Sequence, residues 1–186
     1  MRRLIQFFCI VAVAALAACA GQRPQAGYFV EDPSQPYTLA SGDRLRVIVF
    51  GQDALSNSYS VDGSGHISMP LVGLVPAQGR STHDLERELE ARLRGGFLRE
   101  PKVSVEVEAF RPFFVLGEVT TAGQYPFVGG MTVQTAVAIA GGFGPRAARE
   151  RADLTRFVDG YPVSRSVDMS QPVHPGDTIT VRERFF

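Results

Sequence analysis

Asp62-Gly63-Ser64-Gly65-His66 places a carboxylate, a hydroxyl and an imidazole close together, the functional groups of an acyl-transfer triad. The segment lacks the Gly-x-Ser-x-Gly elbow, and near neighbours in sequence do not readily reach the nucleophile–base–orienter geometry. A turn is the expected structure. His66, His83 and His174 lie far apart, with no two at i and i+4, the spacing that sets two imidazoles on one metal ion. Gly129-Gly130-Met131-Thr132 precedes a helical pattern, where unpaired N–H groups can hold an anion. Two glycines there also serve simply to bend the chain into the helix. Gly141-Gly142-Phe143-Gly144 follows that helix, the wrong side for a phosphate cradle. None of these groupings supports an enzyme, and no metal or cofactor site is expected.

Cys19 has the more telling neighbours. A positive start, Met1-Arg2-Arg3, leads into an apolar run over 4–16 broken only by Gln6, and Ala17 and Ala18 precede the cysteine. These are the three parts of an export signal, and the run is too short to span a membrane comfortably. Leu16-Ala17-Ala18-Cys19 resembles the bacterial lipobox. That resemblance implies cleavage after residue 18 and acylation of the Cys19 thiol, with Ala20 favouring passage to the outer membrane of a Gram-negative cell. The alternative is an ordinary cleavable signal in which Cys19 is incidental. Cleavage would also remove Cys9 and leave Cys19 as the sole cysteine, so no intramolecular disulfide is possible.

About 168 residues would remain, room for one ordinary domain or two small ones. The chain carries 19 basic and 19 acidic side chains, and the signal takes two of the basic ones. A nucleic-acid binder would show a basic excess or cluster; lysine and arginine read as scattered, so charge names no partner. Residues 19–36 are rich in Gly, Pro and Gln without an apolar period and read as a tether from Cys19.

Regular structure is expected from there on. Leu45, Val47 and Val49 alternate with Arg44 and Arg46, the pattern of a half-buried strand over 44–50. The turn at 62–66 predicts a hairpin. Ser81 and Asp84 predict a capping box for a helix with Leu85, Leu89 and Leu93 on one stripe, ended at Gly95-Gly96. Glu88–Arg92 and Glu90–Arg94 are placed as i,i+4 pairs on its wet face. A strand over 102–109 completes a unit over 37–110. A second unit, 111–186, reads as strands over 113–119 and 125–128, a short helix capped by Thr132, and strands over 154–158, 163–167 and 178–181. The expected class is α+β: two small β-rich domains, each a short sheet with one helix. Ser41-Gly42-Asp43 and Pro175-Gly176-Asp177 each introduce an alternating strand, an internal echo, though Gly-Asp is also a common turn. The last residues, Arg182-Glu183-Arg184-Phe185-Phe186, do not end a membrane barrel, because counting back by twos from Phe186 meets arginines.

Taken together, Tyr37-Thr38-Leu39-Ala40-Ser41-Gly42-Asp43-Arg44-Leu45, Asp62 to Ile67 with Pro70-Leu71-Val72-Gly73, and Pro101-Lys102-Val103-Ser104-Val105 resemble the polysaccharide biosynthesis/export domain of Wza-like outer-membrane lipoproteins. Val115-Leu116-Gly117-Glu118-Val119, Gly123-Gln124-Tyr125, Ala140-Gly141-Gly142 and Pro175-Gly176-Asp177 are similar to the SLBB module, a β-grasp domain. Here Ala122-Gly123 stands where that module usually has Pro-Gly. The larger members carry further SLBB repeats and a C-terminal amphipathic helix that forms the pore, so the resemblance is to the short form. It implies a non-catalytic, periplasmic-facing outer-membrane lipoprotein that guides a capsular or extracellular polysaccharide as a homo-oligomeric ring. The implied partners are the secreted polysaccharide, an inner-membrane co-polymerase or chain-length regulator, and a separate outer-membrane pore protein. The alternative is a monomeric periplasmic ligand- or glycan-binding lipoprotein.

Overall fold

The computed structural model describes residues 28–29, 35–158 and 160–184; Cys19, Asp159, Phe185 and Phe186 lie outside them. The first unit runs β1 (Arg44–Val49), β2 (Asn57–Ser60), β3 (His66–Met69), β4 (Gly73–Pro76), α1 (Thr82–Arg94) and β5 (Val103–Ala109). Strand β1 is central, antiparallel to β2 on one side and to β5 on the other. Its inward residues Leu45, Val47 and Val49 pack with Ile67, Met69 and the helix stripe Leu85, Leu89 and Leu93, all with at most 1% of their surface exposed. Period-two and period-3.6 apolar residues thus meet in one core, the arrangement that makes each element worth forming.

Two expectations need correction. The turn at 62–66 exists, with the Gly65 N–H donating to the Asp62 carbonyl at 3.0 Å, but it joins no hairpin. Strand β2 pairs with β1, whereas β3 pairs with β4 in a separate two-stranded sheet. Alternation reports which face of a strand is buried and carries no information about which edge is paired. Glu90 is also not a wet-face residue paired with Arg94. Its Oε1 accepts the Val103 N–H at 3.1 Å, and Glu86 Oε1 accepts the Val105 N–H at 2.9 Å. An edge strand presents N–H groups that need acceptors, and α1 supplies them to β5 from two carboxylates one turn apart. Glu88 does pair with Arg92 at 2.7 Å, and with Arg80 at 3.1 Å.

The second unit runs β6 (Phe113–Gly117), β7 (Gly123–Tyr125), α2 (Val133–Ile139), β8 (Arg151–Val158), β9 (Tyr161–Asp168) and β10 (Thr178–Val181). Its five-stranded sheet has the order β7-β6-β10-β8-β9, with β6 and β10 parallel and the other pairs antiparallel. Thr132 caps α2 reciprocally with Thr135, and Val133, Ala136 and Val137 lie in a second core with Phe113, Val115, Leu154 and Ile179. The fold is α+β. The hairpin β8–β9 is longer than alternation suggested, because its outer end carries exposed residues such as Phe157 and Tyr161 that break the in/out pattern.

The α1 capping box gives a pH test. Asp84 is held down to about 2, first by the Ser81 hydroxyl and then by Arg87. A carboxyl depressed in the folded state contributes stability above its ordinary value of 3.8, lost as pH falls toward 2. Ser81→Ala is expected to move the Asp84 midpoint up toward 3.8 in an NMR titration, and to cost about 1 kcal/mol in chemical denaturation at neutral pH.

Candidate functional site

The triad-like segment is a satisfied turn. Asp62 Oδ1 accepts from the Ser64 N–H at 2.9 Å, the Ser64 hydroxyl at 2.7 Å and the His66 N–H at 2.9 Å. The His66 N–H bond is first among the interactions that hold the Asp62 carboxyl below its usual range. Ser64 Oγ lies 3.1 Å from His66 Nδ1, but the carboxylate grips the hydroxyl and the backbone rather than orienting the imidazole. That is the wrong wiring for nucleophile activation. His83 sits beside Glu86 on exposed helix surface, and the His174 N–H donates to Asp177. Among the described residues no three His, Cys, Asp or Glu side chains cluster as metal ligands would, and no helix is long and apolar enough to cross a membrane.

The built features lie where the two units meet. Asp43 is fully buried. Its Oδ2 accepts from the Tyr37 hydroxyl at 2.7 Å and the Ala40 N–H at 2.9 Å, and its Oδ1 accepts from the Arg111 N–H at 2.9 Å. The Arg111 guanidinium closes the group, 3.0 Å from Tyr37 Oη and 3.6 Å from Asp43 Oδ2. Burial, then the bond to Asp43, pushes the Tyr37 hydroxyl well above the usual phenol range. Phe110 sets its ring edge-on between Tyr37, centroids 4.9 Å apart, and Phe127 of the second unit, 5.5 Å apart. The two Gly-Asp turns echo in space as well as in sequence. A Cβ at Gly42 would lie 3.3 Å from Arg111 Cβ, and one at Gly176 only 2.7 Å from Arg111 Nε, so both turns close on the same arginine because they lack side chains there. Asp177, 1% exposed, is held by Arg156 through Nε at 3.0 Å and Nη2 at 2.8 Å.

Arg156 leads to a feature that the sequence reading passed over. Within the stretch read as tether, Phe29 is buried in the second core. Its ring lies between the guanidinium groups of Arg156 at 4.7 Å and Arg165 at 4.9 Å, a double cation–π contact. The Tyr28 carbonyl accepts from Arg165 Nη1 at 2.7 Å, and the Phe29 carbonyl from Gln171 Nε2 at 3.3 Å. The Tyr28 hydroxyl donates to Asp168, which raises its pKa. The usable signal was the apolar triplet Tyr28-Phe29-Val30 inside a polar stretch.

Near that strap, an open cleft of about 560 Å³ is walled by Arg149, Arg151, Arg182 and Arg184 over Ala147 and Ala152. Backbone bonds lay the end of the chain along the loop before β8: Ala148 N–H to the Arg182 carbonyl at 2.9 Å, and Arg184 N–H to the Arg146 carbonyl at 2.7 Å. Arginines described above as scattered are gathered here by tertiary structure. Arg182 grips Asp153 through two nitrogens, at 2.5 and 2.6 Å, and Arg151 lies 3.3 Å from Asp168.

Residues 31–108 match the polysaccharide biosynthesis/export protein family, and residues 112–165 match the SLBB domain. The chain thus carries a polysaccharide biosynthesis/export segment followed by an SLBB segment. It is 37% identical over 131 residues to the exopolysaccharide production protein ExoF of Rhizobium meliloti, covering 61% of this chain and 31% of that one. It is 28% identical over 163 residues to the EPS I polysaccharide export outer membrane protein EpsA of Ralstonia nicotianae, covering 82% of this chain and 42% of that one. The chain thus spans less than half the length of either relative. The join between the two family segments falls at Ala109, Phe110 and Arg111, where the buried Asp43 group closes.

Two outcomes follow. Asp43→Ala strands the Tyr37 hydroxyl and the Arg111 guanidinium beside a cavity and is expected to cost about 3–5 kcal/mol in urea denaturation, the range for breaking a buried ion pair. Phe29→Ala removes the strap's anchor, and limited proteolysis should cut between residues 20 and 36 roughly tenfold faster or more, while the protease-resistant body persists.

Proposed function

We propose that this chain is a non-catalytic, lipid-anchored subunit of an exopolysaccharide export machinery, on the periplasmic face of the outer membrane of a Gram-negative bacterium. The observation that carries this reading is the ordered pair of export and SLBB segments, joined through one buried carboxylate. The relatives named for exopolysaccharide production and for polysaccharide export at the outer membrane support it, as does the lipobox-like Leu16-Ala17-Ala18-Cys19.

The work is mechanical. Copies pack side by side through the small β-rich units into a ring, and the ring guides a polymer delivered by an inner-membrane co-polymerase or chain-length regulator toward an outer-membrane pore protein. A rigid joint between the units suits this role, because a ring transmits shape only if each subunit holds one angle. Acylation at Cys19 supplies membrane attachment, and more than one chain is needed for a stable anchor.

One complementation series tests the reading. Deleting the gene should abolish or sharply lower secreted polysaccharide, and the wild-type gene should restore it. Cys19→Ser should yield folded protein in the soluble periplasmic fraction with export still impaired. Unchanged polymer in the deletion strain would overturn the export role, and wild-type membrane retention of the serine variant would overturn the anchor.

A further inference from the structure

We propose that the open face of the five-stranded sheet binds the uncharged sugar rings of a polysaccharide segment. This rests on the export reading above, which supplies a polymer as cargo, but its own evidence is the chemistry of that face.

One face of the sheet is covered and the other is not. Val115, Ile179 and Leu154 are cross-strand neighbours and lie in the second core with α2. Residues one step along each strand point the opposite way. The register sets Gln124, Phe114, Thr178, Thr155 and Ser164 in a single row across β7, β6, β10, β8 and β9. Four strand spacings make that row about 19 Å long. All five side chains are exposed or half-buried, and among the described residues the amide and the three hydroxyls make no hydrogen bond within the protein. The next row holds Leu116, Thr180, Asp153 and Ser166. Phe157, 69% exposed, extends the face on the other side of the first row.

The charge and the size of this face choose its occupant. Asp153, the one charged residue of the two rows, is already held by Arg182 through two nitrogens. A strongly charged partner would lose water against groups that bring no countercharge. A sugar is built as the face is built. Its hydroxyls exchange bonds with serine and threonine hydroxyls, each of which donates and accepts, and its C–H face meets the electron-rich face of Phe114 or Phe157. Neighbouring side chains in a row stand about 4.8 Å apart, comparable to the length of one sugar ring. A second copy of the chain fits poorly. Three rows about 7 Å apart enclose on the order of 300 Å², against about 800 Å² for each partner in a standard protein interface.

The test uses the full mature chain carrying Cys19→Ser, isotope-labelled for NMR, and oligosaccharides cut from the polymer that the same strain secretes. Adding them should shift the backbone amide resonances of Phe114, Thr155, Ser164 and Thr178. Raising the salt should leave the affinity unchanged, because screening acts on charges and not on stacking or neutral hydrogen bonds. Phe114→Leu keeps apolar bulk but removes the ring, and should weaken binding several-fold. Thr155→Val with Thr178→Val removes two hydroxyls while keeping side chains that suit a strand, and should weaken it roughly tenfold. Thermal melting should be unchanged in both. Absence of shifts in these rows at millimolar oligosaccharide, wild-type affinity in either folded variant, or release by salt would overturn the proposal. So would loss of self-association in the valine variant without any response to sugar, which would reassign the face to a second copy. Absent binding with secretion still lost on gene deletion leaves the export role standing. Intact binding with unchanged secretion overturns the export role and leaves the face a saccharide site.

Discussion

A carboxylate with no exposed surface, Asp43, is the constraint on which the arrangement of this protein depends. A buried charge is tolerated only when its oxygens are fully partnered, and those of Asp43 draw donors from three residues in two separate stretches: Tyr37 and Ala40 just before it, and Arg111. Satisfying one residue therefore fixes the start of the first unit, the register at which β1 begins, and the place where the chain crosses to the second unit. Asp177 plays a matching part across the joint. Its Gly176 neighbour closes on Arg111 from the other side, and its carboxylate holds Arg156.

From that joint the consequences run outward in both directions. In the first unit, α1 both fills the core with its leucine stripe and feeds two glutamates to the exposed edge of β5, so one helix answers the hydrophobic demand and the edge-strand demand together. In the second, Arg156 passes from Asp177 to the ring of Phe29, so the network that seats β10 also pins Phe29. Joint and strap are thus consecutive links of one polar chain.

Much of this was legible before any coordinates. Alternation over 44–50 and 103–109, the leucines of α1, the Ser81–Asp84 capping box, the Thr132 cap and the Gly-Asp echo are local signals. They rest on periods of two and 3.6 residues and on bonds between residues three apart. The lipobox-like Leu16-Ala17-Ala18-Cys19 is local too, and so are the turn motifs whose order carried the family resemblance. The sequence by itself therefore determined the elements, their buried faces and the class of the fold.

Tertiary structure decided which edges pair and which distant charges meet. Strand β3 left β2 for β4, Glu90 turned from solvent to β5, Phe29 left the expected tether for the second core, and arginines at 149, 151, 182 and 184 came together from the middle and the end of one unit. Each depends on partners many residues away. A side chain's type and its neighbours limit what it can bond, but only the closed fold determines which unsatisfied donor or aromatic face comes within reach.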